Sequence, residues 1–287
     1  MKSLAGAGTV SSLITNTNNF TLTIHGGTDT SSTVFAGVIS DGSTSAVHII
    51  KNGATTQVFS GVNTYRGATT VNAGTLLING THIQSVAGSG YTVNNDGTLG
   101  GTGLIARSTT SNNQSMVTVA SGGTLAPGGN GVIGSLKLDG QYMTAAIGNR
   151  HLTMQSDAVF RFDLAGNGSS ADTLDFWNYV SGDLTLSTNA LNLSLLGPQV
   201  SGTYTVDLFR FYSDNGIALT ASGVTNGLAV GTLGAGITDA TLDYTTVPGV
   251  IRLNYTVVAI PEPSSAFLAA AGVIGLLLHR RRSRFAR

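Results

Sequence analysis

Any acid–base chemistry in this chain has to come from aspartate, because Glu262 is its only glutamate. Cleaving a glycosidic bond takes two carboxyl groups on one surface. The pairs near enough in sequence are Asp157 with Asp163 and Asp172 with Asp175. Asp163 alternates with Phe162 and Leu164 and shares its side of a strand with Arg161, so a solvated ion pair is expected there. Asp172 and Asp175, three apart, fall on opposite faces of a continuous strand. No catalytic residue is therefore assigned. His25, His48, His82 and His151 lack the spacing of metal ligands, and Gly166 to Asp172 reads as a glycine-rich turn, so neither metal nor cofactor is expected. Trp177, beside Phe176 and Tyr179, has the ring to stack on a sugar, but packing at the edge of the core is the expected role. Glu262 stands apart. Pro261 and Pro263 each push the preceding residue out of the helical region, so Ile260 and Glu262 should be extended. Extended peptides are a recurrent recognition mode, which makes Glu262 chemistry to be acted upon.

The residues after Glu262 support that reading. Ala266 to Leu278 is uncharged, and Arg280, Arg281, Arg282, Arg284 and Arg287 come directly after it. As a helix this run spans about 20 Å at ~1.5 Å per residue, short of a hydrocarbon core of ~30 Å. Including Ser264 to His279 adds roughly 4 Å, and long arginines reach outward to cover part of the rest. A buried core helix is the competing reading, but a globular core has no place for the arginines. They also set an orientation, with the arginines cytoplasmic and the body on the far side.

Ile260-Pro261-Glu262-Pro263-Ser264, the apolar run and Arg280-Arg281-Arg282 together resemble the PEP-CTERM sorting signal of Gram-negative bacteria, with Ile260 where that signal usually has valine. The resemblance implies recognition by an exosortase-type membrane protease and cleavage near Glu262-Pro263. It also implies an inner-membrane intermediate and release to the cell surface or an exopolysaccharide matrix. The expected sites are Pro261, Glu262 and Pro263 for sorting and Arg280, Arg281, Arg282 and Arg284 as the membrane stop. Met1 to Val10 holds one lysine and no apolar run of signal-peptide length. We therefore expect a truncated or mis-started chain, with the export signal and more repeats upstream.

The elements ahead of the tail must be built from glycine and β-formers. Glycine, at 39 residues, is about twice its usual share, and charged residues make up only 10%. Hydrophobics at 41% still permit a core. The charge is split: 9 Lys+Arg against 13 Asp before Pro261 give −4, and the tail gives +4. A body of −4 has no basic footprint for nucleic acid. With no cysteine, stability has to come from backbone pairing and packing.

One pattern recurs. Val71-Asn72-Ala73-Gly74-Thr75-Leu76 returns as Val93 to Leu99 and as Val119 to Leu125, the first copy one residue shorter at its corner. Fainter copies lie at Thr21-Leu22-Thr23-Ile24 and Val47-His48-Ile49-Ile50. Units of about 24 residues, each with an apolar face it cannot bury alone, suggest a solenoid. Coils of that length stacked at ~4.8 Å over residues 1–258 would number about eleven, a rod of roughly 50 Å. Corner residues would be Gly, Asn and Asp, and stacked Asn and Thr could bond along the axis. From about residue 141 the repeat blurs, but Phe160-Phe162-Leu164, Leu191-Leu193-Leu195 and Ile251-Leu253-Tyr255-Val257 keep a period of two. A β-sandwich is the competing architecture.

Phe59-Ser60-Gly61-Val62-Asn63-Thr64-Tyr65-Arg66-Gly67, continued by Thr69 to Leu76, resembles the autotransporter-associated β-strand repeat. That implies a passenger-type parallel β-helix. The barrel that ends true autotransporters is not implied, since the chain ends in an apolar run and arginines.

The expected fold is all-β: a parallel β-helix or β-solenoid followed by a short C-terminal transmembrane helix. The body is 1–258, with its clearest repeats at 47–140. The tail is 259–287, with its motif at 261–263, apolar helix at 264–279 and arginine cluster at 280–287. The expected function is a non-enzymatic, exported structural or adhesion-type protein of the surface or matrix. Its partners would be the exosortase, the membrane through the tail, and exopolysaccharide. The alternative is a β-helix lyase or hydrolase acting on exopolysaccharide.

Overall fold

The structure is a computed structural model that describes residues 1–11, 19–26, 31–42, 44–84, 90–107, 115–129, 131–140, 150–178, 184–212 and 227–260. Every regular element among them is a strand, and the expected tail helix at 264–279 lies outside the described residues. After β1 (Thr9–Ser11) the chain winds in triplets. The first is β2 (Phe20–Ile24), β3 (Ser32–Phe35) and β4 (Val38–Ser40); the second is β5 (Val47–Lys51), β6 (Thr56–Phe59) and β7 (Val62–Asn63). Then come β8 (Thr69–Val71), β9 (Gly74–Ile78) and β10 (Thr81–Gln84), followed by β11 (Tyr91–Val93), β12 (Gly97–Gly101) and β13 (Leu104–Arg107). The next are β14 (Ser115–Val119), β15 (Thr124–Pro127) and β16 (Ser135–Asp139), and β17 (Arg150–Met154), β18 (Val159–Ala165) and β19 (Thr173–Trp177). The last triplet is β20 (Leu184–Thr185), β21 (Asn189–Leu196) and β22 (Gly202–Phe211), after which β23 (Leu228–Leu233), β24 (Ile237–Asp243) and β25 (Val250–Val257) end the body.

Among the described residues the strands from β2 to β22 pair in parallel with the strand three places on, except that β4 and β7 share no ladder, and β21 takes β23, two places on, also in parallel. Three faces result. The first runs β2-β5-β8-β11-β14-β17-β20, the second β3-β6-β9-β12-β15-β18-β21-β23. The third continues from β7 through β10, β13, β16 and β19 to β22. This is the expected solenoid, and parallel pairing excludes the antiparallel sandwich. The repeat sits in register: Val71, Val93 and Val119 stack on the first face, and Leu76, Leu99 and Leu125 on the second. The corner between them absorbs the residue missing from the first copy. The upstream copies stack one residue out of the expected alignment, with Phe20 on Val47 and Thr21 on His48.

The expectation of eleven coils is corrected. The described strands form seven triplets, and coils stacked at ~4.8 Å make a rod nearer 30 Å. Successive first-face strands are 20 residues apart at Ile49 and Thr69 but 35 apart at Val117 and Leu152. Longer excursions between strands consume the sequence. Beyond β22 the winding also changes sense: β25 pairs antiparallel with β22, and β24 antiparallel with β25.

Residues 60 to 67 show why one corner is so constrained. A Cβ on Gly61 would come 1.9 Å from the Gly37 carbonyl oxygen, and one on Gly67 2.1 Å from that of Val47. Only a residue without a side chain lets consecutive coils approach that closely. Asn63 is buried, and its Oδ1 accepts the Ile39 N–H at 2.9 Å, joining β4 to β7 where the backbone ladder is interrupted. Tyr65 is fully buried, its hydroxyl 2.6 Å from Thr69 Oγ1. Its ring stacks on His82 at 4.0 Å, and His82 reaches the Tyr91 hydroxyl through Nδ1 and the Tyr65 carbonyl through Nε2. The buried polar groups of this cluster thus satisfy one another, as burial requires.

At the next corner an asparagine ladder climbs the axis. Asn94 Nδ2 donates to Asn72 Oδ1 at 2.7 Å, and Asn72 Nδ2 to Asn52 Oδ1 at 2.8 Å. Beside it the buried Lys51 ammonium donates to the carbonyls of Asn52, Gly53 and Ala73. Further along, the core turns aromatic. Phe160 and Phe162 each approach Phe209 at 5.2 Å, and Phe176 stacks on Phe211 at 5.0 Å. The period-two readings hold for Phe160, Phe162, Leu164, Leu191, Leu193, Ile251, Leu253, Tyr255 and Val257, all in the core, whereas Leu195 is only half-buried against it.

Candidate functional site

The sorting residues Pro261, Glu262 and Pro263 and the arginines Arg280, Arg281, Arg282 and Arg284 lie outside the described residues, as does Tyr179. What the structure builds is a polar surface on the third face, around β16, β19, β22 and β25. Asp175 and Arg210 are register partners there, one on β19 and one on β22. Outward-pointing side chains at adjacent register positions meet, and the Arg210 fork closes on Asp175 with Nε to Oδ1 at 2.8 Å and Nη2 to Oδ2 at 3.0 Å. Ser135 Oγ donates to the same carboxylate at 2.8 Å, and Arg210 Nη2 also reaches Thr173 Oγ1. One strand further, Arg252 Nε donates to Asp207 Oδ1 at 2.8 Å. Ser135, Thr173, Asp207, Arg210 and Arg252 line an open groove of ≈ 570 Å³.

Beneath the groove the aspartates are arranged differently from expectation. Asp163 is buried, not solvated beside Arg161. Its Oδ2 accepts the Gly131 N–H at 2.8 Å, and Ser194 Oγ donates to its Oδ1. Asp172 is fully buried and accepts the Gly134 N–H through Oδ1 and the Asp163 N–H through Oδ2, at 2.9 and 2.8 Å. The chain turns back at Gly166 to Ser170, where Ala165 and Ser170 bond across the turn, and this brings Asp172 against Asp163. Alternation along one strand could not foresee a pairing made by that reversal. Burial, with a smaller push from the neighbouring Asp163 carboxylate, raises the Asp172 carboxyl to about 8, against the pull of its two N–H donors.

Chemically, this arrangement fastens a glycine-rich segment to the coil. Asp163 and Asp172 spend their oxygens on backbone N–H groups and Ser194, Asp175 is forked by Arg210, and Asp157 stands in a turn with φ of 63°. A glycosidase pair needs both carboxyls facing a space that admits the sugar, and neither proposed pair is brought together in that way. Nor do the histidines converge: His82 is in the core, His48 Nδ1 accepts the Ala68 N–H, and His151 Nε2 donates to the Trp177 carbonyl. Among the described residues no cluster of three or more His, Asp or Glu is placed to hold a metal ion.

Trp177 overturns its expected role. The residue is 42% exposed on the outer side of β19, while Phe176 points inward and is buried. Tyr212 lies beside it, with ring centroids 5.0 Å apart and planes tilted by 34°. The sequence held the signal, since strand alternation puts neighbours on opposite faces. What it lacked was which of the two residues faces in.

Comparison with known proteins agrees with the architecture. Residues 49–78, running from β5 through β9, match the family described as passenger-associated-transport-repeat. Residues 259–282 match the PEP-CTERM protein-sorting motif. The chain thus carries both features its sequence resembles. It is also similar to the adhesin BmaC autotransporter of Brucella suis biovar 1 (strain 1330), 43% identical over 104 residues, which cover 36% of this chain and 3% of that protein. The likeness therefore spans a small fraction of that relative's length.

Proposed function

We propose that this chain is a non-enzymatic, exported protein of the cell surface or extracellular matrix, an adhesion-type rod delivered by its C-terminal tail. The supporting observation is the combination itself: a parallel solenoid in which residues 49–78 match a passenger repeat, followed by a matched sorting motif at 259–282. A stack of coils offers a long, stiff surface with no need of a cleft. The likeness to part of an autotransporter adhesin favours attachment as its task.

In this reading Pro261, Glu262 and Pro263 present an extended segment to an exosortase-type membrane protease. The apolar run at 264–279 holds the chain in the inner membrane, and Arg280, Arg281, Arg282 and Arg284 keep its end cytoplasmic. Cleavage frees the body. Mass spectrometry of the surface-released protein tests this: its C-terminus should fall near Glu262. A released protein that still extends to Arg287 would overturn the sorting mechanism.

A further inference from the structure

The outer surface of the third face holds a feature that the groove's ion pairs do not explain. Trp177, the only tryptophan of the chain, keeps 42% of its surface exposed although it sits mid-sheet with paired strands on both sides. Its backbone is fixed, because the Trp177 carbonyl accepts both the Gly140 N–H at 3.0 Å and the His151 Nε2 at 2.8 Å. Tyr212 packs against the indole, with ring centroids 5.0 Å apart and planes tilted by 34°. On the neighbouring strand Asp139 stands in register with Trp177, and Asn178 Nδ2 donates to its Oδ1 at 2.6 Å. The Lys137 ammonium lies 5.8 Å from the indole centroid. Arg210 and Arg252 each have a carboxylate, whereas the Lys137 ammonium has neither a carboxylate nor a hydrogen-bond partner among the described residues.

We propose that Trp177, Tyr212 and Lys137 form a binding site for an acidic polysaccharide, one whose pyranose rings carry carboxylates. A pyranose presents a face of C–H groups with partial positive charge, which an aromatic ring's negative face attracts. A ring-attached carboxylate within reach of Lys137 supplies the counter-ion that the protein does not. The Asp139–Asn178 pair at the rim offers a planar acceptor and donor to ring hydroxyls. The fixed backbone means little ordering is needed on binding. Because the solenoid is stiff, a long polymer can lie across the third face and touch the site with a single unit. This deepens the reading of the body as an extracellular rod by naming what it attaches to.

The single tryptophan makes the test direct. The full 287-residue chain, held in a mild detergent, is titrated with oligogalacturonate and, separately, with the neutral maltoheptaose while indole emission is followed. The acidic oligomer should shift the emission saturably and bind about tenfold more tightly than the neutral one. Lys137→Gln should erase that preference. Retention in gels containing polygalacturonate, a readout that does not need the indole, should drop about tenfold for Trp177→Ala with its circular dichroism unchanged. Three results would each overturn the site: no saturable change with either oligomer, unaltered retention of Trp177→Ala, or equal affinities with Lys137→Gln silent. The C-terminus of the released protein, measured separately, reports on delivery, so a failure of sorting and a failure of binding remain distinct.

Discussion

Two buried groups give the body opposite pH dependences. His82 is enclosed by Tyr65 and Tyr91, and burial lowers its imidazole to about 4. The folded chain therefore keeps it neutral, while the unfolded chain takes up a proton below the ordinary value of about 6.5. Its contribution to stability is complete above about 6.5 and is lost as pH falls toward 4. Asp172 runs the other way. Its carboxyl is raised to about 8, so its contribution is complete below about 4 and is lost as pH rises toward 8. Between about 4 and 6.5 the two cancel, and above that only the Asp172 loss remains. Urea midpoints should therefore fall between pH 6.5 and 8, and Asp172→Asn should flatten that fall while uncovering the acid-side loss due to His82. Close approach is just as local. Gly61→Ala would set a methyl 1.9 Å from the Gly37 oxygen. It should cost about 1–3 kcal/mol in denaturant unfolding, as overpacking does.

Among strands and corners, stability depends on like stacking on like. The ladder of Asn52, Asn72 and Asn94 has its middle rung bonded on both sides. Asn72→Ala removes both bonds at a half-buried corner, so roughly 1–2 kcal/mol is expected, at ~1 kcal/mol net per bond. The aromatic cluster is costlier to open. Phe209 is fully buried against Phe160 and Phe162, and Phe209→Ala should lose about 3–5 kcal/mol, read as a lower urea midpoint. The repeat's stacking was legible in the sequence because Val71, Val93 and Val119, and then Leu76, Leu99 and Leu125, recur with their corner. The upstream register was not, since Phe20-Thr21-Leu22 offers two alignments on Val47-His48-Ile49 that differ by one residue. Only pairing across coils selects between them.

For the whole molecule, the question is how a stack of parallel coils ends. An open last coil would expose unpaired N–H and C=O groups and the apolar interior to other chains. Here β22 turns to antiparallel partners, β25 and β24, and β25 brings Ile251, Leu253, Tyr255 and Val257 into the core. Deleting 202–258 should therefore leave an edge that recruits further copies. Light scattering should show concentration-dependent association of the deleted form beyond that of the full chain.

Residue order alone was enough to foresee the parallel winding, the register of the central repeats, the buried faces of the late strands and the presence of a sorting motif. Each of these is a local pattern or a spacing that repeats, and stacking adds identical residues in phase. It took the folded coils to settle that Asp163 and Asp172 meet, that Trp177 faces out while Phe176 faces in, and that fewer, longer coils use up the chain. Those outcomes depend on where excursions of unequal length return the strand, and a period read along the chain carries no information about that.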